Sequence, residues 1–194
     1  MQMTSKKAMR QQGLASRRSL ASRQRMAKSA QIADKLCHSR LFQQAESIFC
    51  YVGSEDEVHT IEILQRAIGQ KKLLTVPYIT DAANGIMEAA VLQVIEALVP
   101  GVYDIPTAPK KDRCFLAGSS IDLVIVPGTA FDKDCHRIGM GGGFYDRFLQ
   151  HTHACSVALA YECQIFEHLP VEMHDRQVDY IFTESKIYTR EDLR

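Results

Sequence analysis

The feature of this chain that most constrains its fold is a glycine-rich turn between a buried strand and a helix. Four of the five positions from 139 to 143 are glycine, and Arg137 lies just before them. The apolar run Leu123–Val126 lies upstream and is closed by a Pro-Gly pair, which predicts a buried strand. The segment from Phe144 onward predicts the start of a helix. Because bare glycine amides beside a helix N-terminus favour an anion, this arrangement predicts a phosphate site.

The common nucleotide-binding fingerprints do not describe this turn. A Walker loop needs Lys-Ser or Lys-Thr after its last glycine, where this chain has Phe144 and Tyr145. The dinucleotide pattern G-x-G-x-x-G, counted from Gly139, fails at Phe144. A turn that only lets a helix approach a strand is the simpler alternative, and it leaves Arg137, Tyr145 and Asp146 unexplained. Asp146 taken alone also fits a helix N-cap.

Short apolar runs alternate with helical segments along the chain. This pattern predicts an α/β fold with three layers, in which a mostly parallel, open, Rossmann-like sheet has helices on both faces. We expect an N-terminal helical region and one domain over residues 1–194. The predicted strands are 48–52, 73–77, 122–126, 157–161 and 180–183, with a loop-rich connector over 100–120. The segment 85–95 is ambiguous, and a strand is favoured there. The predicted helices are 5–38 with a break near Gly13, 60–68 with Thr60 as cap and Gly69 as stop, 144–151 and 164–168.

Ligands of open parallel sheets bind outside the carboxyl ends of the strands. Glu57 follows one predicted strand, and the segment from Arg137 to Asp146 follows another. We therefore expect the two segments to share one cleft.

The N-terminal segment is basic while the rest of the chain is acidic. Residues 1–40 carry ten Lys and Arg and one acidic residue, Asp34, which leaves 13 basic and 22 acidic residues for the remainder. The segment fits a transit peptide, a nucleic-acid arm, or a folded helix whose cations face an anionic ligand. A solvated charged face is the simpler alternative for Arg17, Arg18, Arg23 and Arg25. The chain has no Trp and no interleaved basic and aromatic residues, which disfavours nucleic-acid binding.

Cysteine usage and hydropathy indicate a reduced compartment. The six cysteines have irregular spacing and form no C-x-x-C pair, and no secretory signal or apolar stretch of about 20 residues is present. We expect a cytoplasmic protein with no membrane contact. His151, His153 and Cys155 fit no standard zinc spacing. We assign no function to Cys135 and His136.

Two linked motifs carry a resemblance to a known family. The first is Pro-Gly-x-x-Phe-Asp at 127–132, and the second is the segment from Arg137 to Asp146. Together they resemble the 5-formyltetrahydrofolate cyclo-ligase (methenyltetrahydrofolate synthetase) family, most closely its bacterial members. Three further segments match in the same order, so that the resemblance runs from about Lys6 to about Phe182. They are residues 6–10, residues 57–60, and Pro170 with Asp175 and Val178-Asp179.

The resemblance implies an ATP-dependent ligase of folate and one-carbon metabolism. Its reaction converts 5-formyltetrahydrofolate and ATP to 5,10-methenyltetrahydrofolate, ADP and phosphate, with Mg²⁺ as cofactor. The partners it implies are small molecules, including a substrate that can be polyglutamylated, and we expect a monomer. The alternative function is a phosphosugar isomerase-like enzyme on a similar scaffold, which would need no ATP.

The resemblance also implies roles for individual residues. Arg137 and Tyr145 would act at the reacting groups, and Asp146 and Asp175 would hold Mg²⁺, with Asp179 as the alternative to Asp175. The ATP site would comprise Lys6, Lys7, Ala8, Met9, Arg10, Arg137, Ile138, Gly139, Met140, Gly141, Gly142, Gly143, Phe144 and Tyr145. The folate site would comprise Val52, Glu57, Met140, Gly141, Gly142, Gly143 and Phe144.

This chain departs from the family pattern at Met140 and Gly142, where other members carry basic residues. The cationic charge at the phosphates would therefore have to come from Arg137 and the N-terminal helix.

Overall fold

A computed structural model describes residues 5–111, 113–173 and 175–190 of the chain. Its helices are α1 (Lys6–Ser19), α2 (Ser22–His38), α3 (Arg40–Gln44), α4 (Ile61–Gly69) and α5 (Phe144–Leu149). Its strands are β1 (Ser47–Cys50), β2 (Leu73–Asp81), β3 (Ile86–Val91), β4 (Val99–Pro100), β5 (Pro106–Thr107), β6 (Phe115–Leu116), β7 (Leu123–Val126), β8 (Ala130–Asp132), β9 (Arg137–Ile138), β10 (Cys155–Leu159), β11 (Ile165–Phe166), β12 (Tyr180–Phe182) and β13 (Ile187–Thr189).

The main sheet has the strand order β13-β12-β10-β7-β1-β2-β3-β6. Its central strands from β12 to β2 are parallel, while β13, β3 and β6 add to its edges in antiparallel fashion. The central strands are short and apolar because both of their faces are covered. The predicted α/β class with a mostly parallel sheet is confirmed.

Alternating side chains of the central strands enter two separate cores. In β1, Ile48 and Cys50 face one core while Phe49 faces the other, as the period of two in a strand requires. Helix α4 adds Ile63 to the first core, and Phe148 of α5 packs against the second. Helices therefore cover both faces of the sheet, which is the predicted three-layer arrangement.

The sheet contains a switch point between β1 and β7, its two central strands. The chain leaves β1 through α4 to β2 on one side, and leaves β7 through α5 to β10 on the other. The loops after β1 and β7 thus diverge at the carboxyl edge and leave a crevice, which is the usual ligand site of such sheets.

Helix α1 packs over a small sheet, β11-β8-β9, that follows β7. The helix break expected near Gly13 is wrong, because α1 continues to Ser19 and the chain turns at Leu20 and Ala21. Gly13 instead lets α1 approach the backbone of Thr129, where a side chain would collide. The glycine therefore allows close packing and does not interrupt the helix.

Three local expectations also need correction. The helix expected at 164–168 is a 3₁₀ turn, Glu162–Gln164, followed by β11, because that backbone pairs with β8. Thr60 is the N-cap of α4 by position, but its hydroxyl donates to the carbonyl of Tyr51 and leaves the helix amides uncapped. Gly69 is the last residue of α4 and does not stop it, and β13 was not expected from the sequence. In the part of the chain that the structure describes, no helix is long and apolar enough to cross a membrane.

Candidate active site

The candidate site lies at the carboxyl edge of the sheet, around the switch point. Three segments meet there: the loop after β1, the loop and small sheet after β7, and helix α1. As expected from the sequence, Glu57 lies on the first loop and the glycine-rich turn on the second.

The glycine-rich turn requires glycine at two positions. Gly141 and Gly143 have φ of 102° and 69°, a region that residues with a side chain rarely adopt. Helix α5 begins directly afterwards at Phe144, as predicted, but it has only six residues, so its dipole adds little. Nη1 of Arg147 donates to the carbonyl of Gly142 at 2.9 Å and holds the turn in place. If the turn binds an anion, its backbone amides would therefore contribute more than the dipole of α5.

Arg137 lies beneath this turn and is almost fully buried, with 7% of its surface exposed. Its Nη2 donates to Oδ1 of Asp146 at 2.9 Å, and its guanidinium lies 5.8 Å from the centre of the Tyr145 ring. Burial lowers the pKa of Arg137, while the charge of Asp146 acts in the opposite direction. Its Nε is buried and meets no acceptor within the described residues. Such a donor is costly to leave unpaired, so Arg137 is suited to an additional anionic partner.

Lys6 forms a second ion pair at the same place. Its Nζ lies 2.7 Å from Oδ1 and 2.6 Å from Oδ2 of Asp175, and 3.2 Å from Oε2 of Glu172. Burial alone would lower the pKa of Lys6, but the hydrogen bonds to these two carboxylates outweigh it and raise the pKa. The charge of Asp175 also acts on Arg137, and the amide of Arg176 points to Oδ1 of Asp146 at 3.4 Å. The two carboxylates predicted to hold a metal therefore belong to one cluster.

The other residues of the 6–10 segment have different environments. Nε of Arg10 donates to the carbonyl of Gly139 at 2.7 Å, which places its guanidinium next to Gly141. Met9 is buried against Ala130 and Ile138 and anchors the helix. Between Lys6 and Met9, Lys7 is exposed and Ala8 is half-buried. The structure thus brings Arg10 to the glycine-rich turn and Lys6 to Asp175, while Lys7 is exposed.

The two aromatic residues that open α5 are both partly buried but have different contacts. The Tyr145 ring lies 6.2 Å from that of Phe49 in the core, and burial raises the pKa of its phenol well above the usual value. Tyr145 is therefore protonated at neutral pH, which suits it to donate a hydrogen bond and not to act as a base. Phe144 is half-buried, and its ring meets that of Tyr103 edge-on at 6.4 Å.

The predicted folate residues are spread around the crevice. Oε2 of Glu57 accepts hydrogen bonds from the amide and hydroxyl of Ser54, at 2.9 and 3.0 Å. Val52 is buried in the core, so its side chain supports the loop after β1 from below. Met140 is exposed at the tip of the glycine-rich turn, with 68% of its surface accessible.

The structure also contains a cavity of about 530 Å³. It lies between β2 and the 99–110 segment, which the sequence indicated only as a connector, and Tyr78, Val102 and Ile105 contribute to its largely apolar lining. Tyr103, next to Val102, contacts Phe144, which brings the 99–110 segment close to the end of the turn. Its volume is in the range that accommodates a ligand of several rings.

The chain matches the sequence model of the 5-formyltetrahydrofolate cyclo-ligase family over residues 2–184. It belongs to this family. The mouse 5-formyltetrahydrofolate cyclo-ligase is 28% identical over 178 residues, which cover 86% of this chain and 87% of the mouse protein. The Escherichia coli K12 enzyme of the same name is 45% identical over 84 residues, which cover 41% of this chain and 46% of that protein. The solved structure of Aquifex aeolicus 5,10-methenyltetrahydrofolate synthetase superposes with a TM-score of 0.85 at 26% identity, covering 97% of this chain and 94% of that one.

Membership of the cyclo-ligase family agrees with the resemblance found in the sequence motifs. The comparisons give no support to a phosphosugar isomerase. They also leave the roles of individual residues open, so those roles rest on the geometry described above.

Asp175 and Asp179 are the two candidates for the second metal ligand, and they differ in position. Asp179 precedes β12 at the amino edge of the sheet, where its Oδ2 accepts from the amide and hydroxyl of Ser156 and its Oδ1 pairs with Arg190. The alternative metal ligand is therefore at the opposite edge from Asp146, and Asp175 remains the candidate. Among the described residues, no group of three or more His, Cys, Asp or Glu forms a metal site, so these two carboxylates would have to share a metal with other oxygen ligands.

Arg17 is the residue near this cyclo-ligase site that sequence reasoning missed. The simpler interpretation of the sequence placed Arg17 on a solvated charged face, but Arg17 is buried, with 4% of its surface exposed. Its neighbour Arg18 has 65% of its side chain exposed. The sequence does not show which of these two adjacent arginines is buried, because only the packing of α1 decides which of them faces inward.

Proposed function

We propose that this protein converts 5-formyltetrahydrofolate and ATP to 5,10-methenyltetrahydrofolate, ADP and phosphate. The single observation that carries the proposal is the cluster at the glycine-rich turn. There, cations from α1 and β9 meet two carboxylates at the carboxyl edge of the sheet, in a chain that belongs to the cyclo-ligase family.

The chemistry of the substrate explains what the site must provide. The formamide carbon is a poor electrophile because its nitrogen donates electron density, and its oxygen is a poor leaving group. Transfer of the γ-phosphoryl group to the formyl oxygen releases ADP and converts that oxygen into phosphate ester. N10 of the substrate then forms a bond to the carbon, loses its proton, and phosphate departs. Since the nucleophiles belong to the substrate, the protein supplies positioning and charge stabilisation.

Lys6, Arg10 and Arg137 are the proposed phosphate-binding cations. Arg10 extends from α1 to the turn, Arg137 lies beneath Gly139, and Lys6 extends from α1 to Asp175. The unpaired Nε of Arg137 is available as a further donor to a phosphate oxygen. These three cations make a basic residue at position 140 or 142 unnecessary for charge balance.

Asp146 and Asp175 fit a magnesium ion by the chemistry of their donor atoms, since carboxylate oxygens are the ligands that this hard cation prefers. They are held by Arg137 and Lys6. Asp146 and Asp175 would hold this ion, and their present partners Arg137 and Lys6 would bind phosphate oxygens. When bound, Mg²⁺ supplies charge neutralisation and orientation of the phosphates.

The folate would occupy the crevice between the two loops and the cavity. The Glu57 carboxylate is suited to accept N–H groups of the pterin, and the apolar cavity wall with Phe144 and Tyr103 is suited to its aromatic rings. Tyr145 keeps its proton and can donate a hydrogen bond to the reacting oxygen. The single domain, the monomeric state and the use of polyglutamylated substrate stay predictions.

The test is a reconstitution of the reaction with purified protein. We expect the near-ultraviolet absorbance of the methenyl product to rise only when 5-formyltetrahydrofolate, ATP and Mg²⁺ are all present, with one ADP formed per product. A folded protein that binds ATP but forms no product would contradict the proposed function. Product formation without ATP would contradict the proposed phosphoryl transfer.

A further inference from the structure

Arg17 connects helix α1 to both loops of the crevice. Its Nη2 lies 3.1 Å from Oδ1 of Asp56, and its Nη1 lies 3.7 Å from Oε1 of Glu57, both on the loop after β1. The same Nη1 donates to the carbonyl of Gly128 at 3.4 Å, on the loop after β7. One buried guanidinium therefore joins the two segments that form the walls of the crevice.

The position of the Glu57 carboxylate depends on this contact. Ser54 holds one of its oxygens through two hydrogen bonds, and Arg17 faces the other. The main-chain carbonyl of Glu57 accepts from the hydroxyl of Tyr161, which fixes the backbone but leaves the side chain free to rotate. Without Arg17, the side chain would be held from one side only.

A purely structural role explains Arg17 less well. An ion pair that served only to attach α1 could use Asp56 alone, which Arg18 already contacts through Oδ2 at 2.9 Å. Burying a guanidinium is costly, and the Nε of Arg17 is buried with no acceptor in the described part of the chain. The buried charge is matched by two carboxylates, and one of them is the proposed pterin ligand.

We propose that Arg17 is a positioning residue that orients the Glu57 carboxylate and sets the width of the folate crevice. This inference rests on the proposed function. Arg17 acts on the folate side of the site, whereas Lys6 and Arg10 of the same helix act on the phosphate side. Loss of Arg17 should therefore change KM for the folate substrate more than KM for MgATP.

The test compares Arg17→Met, Arg17→Lys and Arg18→Met. Methionine keeps much of the apolar stem of arginine and removes the charge. Arg18 is the matched control, since it lies on the same helix and pairs with the same Asp56 but reaches neither Glu57 nor Gly128. We expect Arg17→Met to raise KM for 5-formyltetrahydrofolate about tenfold or more, as loss of the buried ion-pair partner of Glu57 predicts. KM for MgATP should change by less than about twofold.

Arg17→Lys should recover only part of the folate KM, because a single ammonium group cannot reach both loops as the planar guanidinium does. Arg18→Met should behave as the wild type. An unchanged folate KM in a folded Arg17→Met protein would overturn the inference. Equal losses for folate and MgATP would also overturn it, since they would show a role in holding α1 only. If Arg17→Met does not fold, the lysine variant decides the question by the same two KM values.

The proposed function itself is judged by the wild type and by Arg18→Met, which must both form the methenyl product. If neither does, hydrogen exchange of the amides in 54–58 still tests the link to Arg17. Faster exchange in Arg17→Met than in Arg18→Met would support it, and equal exchange would overturn it.

Discussion

Gly13 lies in the middle of α1, where the helix crosses the backbone before β8. A methyl group at this position would lie 2.8 Å from the carbonyl carbon of Thr129, closer still to its oxygen, and 3.1 Å from Cβ of Ala130. The obstacle is backbone and cannot move aside as a flexible side chain would. In Gly13→Ala, α1 therefore has to move away from the small sheet.

The size of the effect follows from these distances. Ordinary van der Waals contact begins at 3.4 Å, and the carbonyl carbon at 2.8 Å falls short of it by 0.6 Å. Because the carbonyl oxygen is closer still, α1 must move by more than this distance. Alanine gains about 1 kcal/mol over glycine in helix propensity, while overpacking typically costs about 1–3 kcal/mol. Because the obstacle is backbone, we expect the overpacking cost to lie near the upper end of this range, so that the free energy of unfolding falls by about 1–2 kcal/mol. Because α1 carries Lys6 and Arg10, we also expect a loss of about tenfold in kcat/KM for MgATP.

The assay is urea unfolding followed by circular dichroism, combined with the product absorbance assay. Gly69→Ala is the matched control, since Gly69 also lies in a helix but a methyl group there would meet nothing within 4 Å. This control should keep or gain stability, by up to about 1 kcal/mol, with unchanged kinetics. A Gly13→Ala protein as stable and active as the control would refute the argument that close approach of α1 requires this glycine.

Three further predictions concern charged groups. Asp146→Asn should lower kcat/KM at least about a hundredfold and raise the Mg²⁺ concentration needed for half-maximal rate. The control Asp179→Asn, at the opposite edge of the sheet, should leave the Mg²⁺ dependence unchanged. An equal shift in both variants would contradict the assignment of Asp146 as a metal ligand. Lys6→Met should raise KM for MgATP about tenfold and leave KM for folate nearly unchanged, which initial rates at varied substrate concentrations would show. Burial opposes ionisation of Asp56, but hydrogen bonds and charges of Arg18 and Arg17 outweigh it and lower the pKa of its carboxyl. Its ionised form therefore stabilises the fold above pH about 3.9, and this contribution is lost as pH falls through the lowered pKa. Urea unfolding should show a higher free energy of unfolding for the wild type than for Asp56→Asn at pH 6, and this difference should shrink toward pH 3.

Much of the fold could be predicted from local pattern. The runs around Ile48 and Leu123–Val126 are apolar at every position, which is typical of strands covered on both faces, and both lie in strands. Predictions failed where a distant partner determined the local conformation. Ile165–Phe166 has a helix-compatible sequence, but β8 offers it a free edge, and Gly13 marks a close contact with Thr129 that no nearby residue reveals.

By itself, the sequence determined strand β7, the glycine-rich turn with Arg137, and the start of α5 at Phe144. These features depend on backbone freedom and on the polarity of neighbouring residues, which a short segment carries within itself. Only the tertiary structure decided the electrostatic pairing: Lys6 meets Asp175, 169 positions away, and Arg17 faces inward while Arg18 faces solvent. The physical reason is that burial and charge pairing depend on how α1 packs against two distant loops, and that packing is a property of the whole fold.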